Sequence, residues 1–178
     1  SAAGKTIMTT EPKFVPKEAV EIKVAGEISV KIRLIDCVGY IVPSALGYIE
    51  NEQPRMVMTP WFEKPVPFNM AAEIGTKKVI TDHSTIGLVI TTDGSFSDIP
   101  RENYIPAEQR VIRELQALGK PFLVLVNSSD PAGERAKAVC ADIREQLSVE
   151  PVAVNCAELN DTGIADILQR VLYEFPLS

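Results

Sequence analysis

Two unbroken apolar runs, Ile86-Gly87-Leu88-Val89-Ile90 and Pro121-Phe122-Leu123-Val124-Leu125-Val126, constrain this chain more than any other feature. A strand that is apolar at every position needs cover on both faces, the condition of a parallel sheet enclosed by helices. The segment between the runs supplies a crossover. Val111, Ile112, Leu115 and Leu118 share a helical face from Pro106 to Leu118, and Gly119 ends the helix. A helix over residues 131–147, a short strand over Pro151–Val154 and a last helix over 162–174 continue the alternation. Repeated βα units dictate an α/β fold with helices on both faces of the sheet.

The N-terminal half follows a different pattern. Residues 1–17 are polar and proline-punctuated. Val20, Ile22 and Val24 alternate, Gly26 turns the chain, and Ile28, Val30, Ile32 and Leu34 alternate back, which predicts a β-hairpin over 18–35. Residues 36–67 are expected to form a long loop, because prolines 43, 54, 60, 65 and 67 interrupt any periodicity. Phe68 to about His83 is expected to be helical, with Met70, Ala71, Ile74, Val79 and Ile80 available for an inner face.

Composition narrows the function classes. A length of 178 residues fits one domain able to bury a core. The net charge of −6, without a basic stripe, argues against a broad nucleic-acid surface. Cys37, Cys140 and Cys156 are far apart and lack CxxC spacing, so they read as reduced thiols rather than a disulfide frame or zinc site. No run approaches the roughly 18 apolar residues needed to span a bilayer, and no signal peptide is evident. The start Ser1-Ala2-Ala3, without an initiator Met, is expected of a fragment.

The chemistry-bearing pattern begins at Ile32-Arg33-Leu34-Ile35-Asp36-Cys37-Val38-Gly39, an alternating strand that runs into Asp-x-x-Gly. This is the layout of a nucleoside-triphosphatase Walker B and switch site. A carboxylate at a strand end can hold Mg²⁺ through water, and the glycine lets a backbone N–H meet a γ-phosphate. Thr9 and Thr10 precede the hairpin, where switch NTPases place the threonine that ligates the metal and senses the γ-phosphate. Gly4-Lys5-Thr6 matches only the tail of a P-loop; no earlier glycine, preceding strand or following helix supports it.

Asn127-Ser128-Ser129-Asp130 follows the second apolar run, where guanine-reading NTPases carry Asn-Lys-x-Asp; Ser128 replaces the lysine. Asp130 either reads a base edge or caps the helix that begins near Pro131. Asn155-Cys156-Ala157 follows the last strand, at the place of a second base-contacting loop. The ordered series of threonine, Asp-x-x-Gly, Asn-x-x-Asp and Asn-Cys-Ala is far more specific than any one of its members. The single histidine, His83, reads as a helix-end or surface residue, and Trp61-Phe62 as packing for the long loop. Thr91-Thr92-Asp93-Gly94 reads as a turn.

With these residues in place, the chain resembles the nucleotide-binding domain of the stage IV sporulation protein A family, spore-coat morphogenetic ATPases related to translation-factor-type GTPases. The resemblance is carried by the block from Ser1 to Pro16, Ile32 to Tyr40, Ala72 to Thr76, His83 to Gly87, Val89 to Gly94 and Leu172 to Pro176. It implies a P-loop NTPase-like three-layer α/β fold, truncated at the N-terminus and missing the first strand, P-loop and first helix. It also implies ATP and Mg²⁺ as cofactors of the longer protein, with Thr9, Thr10 and Asp36 at the metal and in catalysis. Gly39, Asn127, Asp130, Asn155, Cys156 and Ala157 would then contact the nucleotide. The family's members polymerise around the developing spore. They do so on the mother-cell side of the forespore surface, to which a small amphipathic membrane peptide recruits them among other coat proteins. Without a phosphate cradle, residues 1–178 alone are expected to bind nucleotide weakly. The strand missing between the Asp-x-x-Gly strand and the next parallel one is expected to be compensated by direct pairing, a rearranged segment or another copy.

Overall fold

The computed structural model describes residues 13–14, 18–24, 28–37, 39–43 and 49–174. In chain order the strands are β1 (Lys13–Phe14), β2 (Val20–Val24), β3 (Ile28–Ile32), β4 (Ile35–Asp36), β5 (Ile49–Glu50), β6 (Gln53–Pro54), β7 (Met56–Thr59), β8 (Phe62–Pro67), β9 (Gly87–Thr92), β10 (Phe122–Asn127) and β11 (Val152–Val154). The α-helices are α1 (Phe68–Lys78), α2 (Arg101–Leu118), α3 (Glu134–Leu147) and α4 (Asp161–Glu174). The chain divides into two compact units, Ser1–Val20 with Arg33–Ser84, and Glu21–Ile32 with Thr85–Ser178.

In the first unit, the strand that ends in Asp36 is short. The alternating pattern extended it back through Leu34, but β3 stops at Ile32, and β4 pairs antiparallel with β1, Lys13 opposite Asp36. The expected long loop also contains structure. β5 pairs with β6 through a two-residue turn in which Asn51 and Glu52 have φ of 51° and 63°, the left-handed pair that a type I′ hairpin requires. β7 pairs with β8, with an irregularity between Val57 and Thr59. Pro54, Pro65 and Pro67 are compatible with these strands because in a two-stranded ribbon every strand is an edge, where a missing N–H need not break a ladder. Proline count is therefore a poor guide to loops here.

The helix expected from Phe68 to His83 is present as α1 followed by one π-helical turn, Val79–His83. Its buried stripe is Phe68, Ala71, Ala72, Gly75, Thr76, Val79 and Ile80, spaced three and four residues apart. Met70, expected inside, is exposed, because at helical spacing position 70 falls on the face opposite this stripe. The Phe68 N–H, one of the helix's orphan donors, bonds the carbonyl of Arg55 at 2.7 Å. Lys78 lies over the Trp61 ring, 5.6 Å from its centroid. His83 is exposed at the helix end, where its position in the sequence puts it.

In the second unit the two apolar runs form adjacent parallel strands. The sheet order is β11-β10-β9, with Leu123 opposite Leu88 and Leu125 opposite Val152. Helices cover both faces. Leu123 and Leu125 pack with Ile167 and Val171 of α4, whereas Gly87, one residue out of phase with Leu88, faces Leu115 of α2. α3 packs beside α2 on β10 and β11. Central β10 is thus buried from Leu123 through Val126, which is why its sequence shows no alternation. Gly87 stands within the first run for a steric reason: a Cβ there would lie 3.2 Å from both Leu115 methyls and from Phe122 Cβ. On the α4 face, Leu88 and Ile90 of β9 remain 43% and 59% exposed.

Two helix starts differ from the expectation. α2 begins at Arg101, so Pro106 lies inside it and removes one main-chain bond. α3 begins at Glu134 with Gly133 at the N-cap, three residues beyond the expected start. No helix among the described residues is long and apolar enough to cross a membrane.

Candidate functional site

The C-terminal ends of β9, β10 and β11 open into three loops, and Asn127 joins them. Its carbonyl accepts the Asp93 N–H at 3.3 Å and the Thr92 hydroxyl at 3.0 Å, while its side-chain Oδ1 accepts the Cys156 N–H at 2.9 Å. Beside it the Ser128 N–H donates to the Val154 carbonyl at 2.8 Å. The sequence-predicted residues Asn127, Asp130, Asn155, Cys156 and Ala157 are therefore brought to one edge of one sheet. In open α/β sheets that edge, outside the strand C-termini, is where ligands bind.

Asp93, read from the sequence as part of a turn, is the buried node of this edge. Asp93 and Ser128 are each 1% exposed. The Asp93 carboxylate accepts the Ser95 N–H at 3.0 Å, the Ser95 hydroxyl at 2.6 Å and the Ser128 hydroxyl. Ser95 Oγ in turn accepts the Ser129 N–H at 2.9 Å, and Ser128 Oγ accepts the Asp130 N–H at 3.1 Å. Arg135 Nε donates to the Asp93 carbonyl at 2.9 Å. A lysine in place of Ser128 would lose the hydroxyl that joins the two loops.

Burial alone pushes the Asp93 carboxyl up. The hydrogen bonds from Ser128 and Ser95 and the charge of Arg135 outweigh that cost and hold it below the usual carboxylate range. A depressed folded-state pKa contributes stability that is present above the unfolded value and lost as pH falls through the folded one. Asp93→Asn is expected to flatten the acid limb of the stability curve below about pH 4, read by urea midpoints at pH 7 and pH 3. Equal acid sensitivity in both proteins would count against this role.

Asp130 does not cap α3. The helix starts too late, and its N-cap Gly133 makes no side-chain cap bond. The exposed carboxylate lies instead against Gly133, where an added Cβ would sit 2.5 Å from Oδ2. In the third loop the Asn155 side-chain oxygen accepts the Ala157 N–H at 3.0 Å, and its carbonyl accepts the Glu158 N–H at 3.1 Å. Burial raises the Cys156 thiol pKa, so Cys156 carries no unusual nucleophilicity.

A second buried carboxylate supports the first loop from below. Glu108 of α2, 5% exposed, takes both guanidinium nitrogens of Arg101 at 2.5 and 2.8 Å and the Thr91 hydroxyl at 2.5 Å. Sequence reading took Asp93 as part of a turn and passed over Ser95 and this triad. One signal was available: Glu108 stands four residues before Ile112, on the apolar stripe of α2, where an acid needs a partner.

The remaining site residues belong to the first unit or lie outside the described residues. Asp36 is exposed at the end of β4, and Gly39 has φ of +77°, a conformation that suits glycine. Thr9, Thr10 and the Gly4-Lys5-Thr6 tripeptide lie outside the described residues. Among the described residues no group of three or more histidines, cysteines or acids gathers for a metal. One exposed carboxylate suits Mg²⁺ held mainly by water and phosphate oxygens, rather than an all-protein cage.

Comparison with known proteins bears on the same residues. Residues 1–176 match the family described as stage IV sporulation protein A, ATPase domain. The chain is 51% identical over 177 residues to stage IV sporulation protein A of Bacillus subtilis (strain 168), and 50% identical over 177 residues to that of Bacillus anthracis; both alignments cover 99% of the chain. It is 48% identical over 178 residues to the protein of the same name from Clostridioides difficile (strain 630), across its whole length. The chain spans 36% of the length of each of these relatives. No solved structure matches it. A family match over 176 of 178 residues, on a parallel α/β sheet with polar loops at its strand ends, places the chain in the stage IV sporulation protein A ATPase-domain family.

Proposed function

We propose that this chain is the base-binding and switch portion of a P-loop ATPase domain, and that hydrolysis by the longer protein gates its self-assembly into the layer beneath the spore coat. The observation that carries this reading is Asn127, whose backbone and side chain fasten three strand-end loops into one rim beneath the exposed Asp130 carboxylate. The purine would lie on that rim, against Asn127, Asp130 and Asn155 to Ala157. Asp36, with Thr9 and Thr10, would face the phosphate end, where bound Mg²⁺ supplies charge neutralisation. Gly39 would pass the phosphate state to residues 40–67, and through them to an assembly surface. A small amphipathic membrane peptide and other coat proteins would be the partners at the forespore surface. No strand–GxxxxGK[ST]–helix unit occurs among these 178 residues, so they would hold nucleotide weakly by themselves.

The reading is tested by turnover of Mg²⁺-ATP and Mg²⁺-GTP by the full-length protein. ATP is expected to be hydrolysed and preferred. No turnover of either nucleotide would leave a structural scaffold built on a degenerate NTPase fold, and a strong preference for GTP would make the protein a GTPase.

A further inference from the structure

We propose that Ser95 is a positioning residue for purine binding, whose hydroxyl holds the loop after β10 in the shape that presents Asp130 to the base. The inference rests on the reading that a purine lies on the rim formed by the loops after β10 and β11. Ser95 acts through that loop, without touching the nucleotide.

Ser95 belongs to the loop after β9 and is half-buried. Asp93, two residues before it, sets its place. One oxygen of that buried carboxylate, Oδ1, accepts both the Ser95 N–H at 3.0 Å and the Ser95 hydroxyl at 2.6 Å. The shorter distance is that of a charge-assisted O–H···O⁻ bond. A hydroxyl carries one proton, and an ionised carboxylate can only accept, so the proton points at Asp93. Ser95 Oγ therefore meets the next loop as an acceptor, and the Ser129 N–H donates to it at 2.9 Å. The chain of bonds runs from a buried charge through a hydroxyl to the backbone of the base loop, and each bond polarises the next.

Ser129 is where this loop needs an outside hold. Its neighbour Ser128 is buried, with its N–H on the Val154 carbonyl and its hydroxyl on the Asp93 carboxylate. Asp130 is exposed and bonds locally, its N–H to the Ser128 hydroxyl oxygen and its carbonyl to the Gly133 N–H. Ser129 is exposed as well, and Ser95 ties it to the loop after β9. With that tie removed, Ser129 and Asp130 sample other backbone shapes, and a base must order them before it binds. Ser95→Ala removes only the hydroxyl: the Ser95 N–H still closes the Asx turn on Asp93, and Asp93 keeps Ser128 and Arg135.

The test is steady-state hydrolysis of Mg²⁺-ATP by the full-length protein, read as KM and kcat separately. Ser95→Ala is expected to raise KM by roughly three- to tenfold, about the worth of one hydrogen bond, with kcat at the parental value. Ser95→Thr keeps the hydroxyl and is expected to keep the parental KM. A fall in kcat at parental KM in Ser95→Ala would overturn the proposal, because a smaller folded fraction lowers kcat and leaves KM alone. Parental KM and kcat in Ser95→Ala would overturn it too, as would a rise in KM in Ser95→Thr equal to that in Ser95→Ala; each leaves the nucleotide reading intact. Absence of turnover by the parent protein would overturn that reading, and this inference with it.

Discussion

Asp36→Ala in the full-length protein is expected to lower ATP turnover by at least about a hundredfold, the usual effect of deleting one electrostatic stabiliser from a phosphoryl-transfer site. The folded state should be spared. Asp36 is exposed at the end of a two-residue strand, and its pairing with Lys13 runs through the backbone. Substitutions at such positions cost within about 0.5 kcal/mol. Asp36→Asn, which keeps the shape and removes the charge, should be nearly as slow. The two readouts together separate the roles: a thermal midpoint close to the parent's with collapsed turnover assigns Asp36 to the chemistry. Turnover within threefold of the parent would remove Asp36 from the site, and with it the switch interpretation of Gly39.

The largest expected loss of stability is at Glu108. Its carboxylate is enclosed by Arg101, which donates from two nitrogens, and by the Thr91 hydroxyl, all at 2.8 Å or less. Glu108→Ala strands a mostly buried guanidinium and removes the acceptor of a buried hydroxyl. Breaking such a pair from one side costs about 3–5 kcal/mol, because the remaining charge has lost its compensation. The pair itself need not be stabilising against an apolar replacement. The double variant Arg101→Met/Glu108→Leu should therefore recover much of the loss, since no buried charge is left behind. Urea unfolding at pH 7 measures both. A single-variant cost under about 1 kcal/mol would mean that water reaches Arg101 in the variant and that the triad does not fix the loop after β9.

The same residues show how far the sequence alone could be read. β10 was legible because a strand buried on both faces must be apolar throughout; β9 was read by the same rule, although Leu88 and Ile90 leave one of its faces largely exposed. α2 was legible from Ile112 and Leu115, yet its start was placed five residues late, because Pro106 looked like a first-turn proline and lies mid-helix. Residues 49–67 were misjudged for a related reason. Proline excludes a central strand but not an isolated ribbon, and composition does not distinguish the two.

Motif order put Asn127, Asp130 and Asn155 to Ala157 at or just after strand ends, and the parallel topology carries their two loops to one edge. What motif order could not supply was partnership. Asp93 is separated from Ser128 by 35 residues, and only the β9–β10 register, with Thr92 opposite Asn127, sets them side by side. The helix-cap reading of Asp130 failed on a three-residue shift in where α3 begins. Helix ends are set by local backbone geometry that residue types only weakly foretell.

The central claim is that ATP hydrolysis, rather than nucleotide occupancy alone, gates assembly. Sedimentation of the full-length protein with Mg²⁺-ATP and, separately, with a slowly hydrolysed ATP analogue tests it most directly. Pelleted polymer is expected with ATP, and protein left in the supernatant with the analogue. Equal pelleting in both would contradict it.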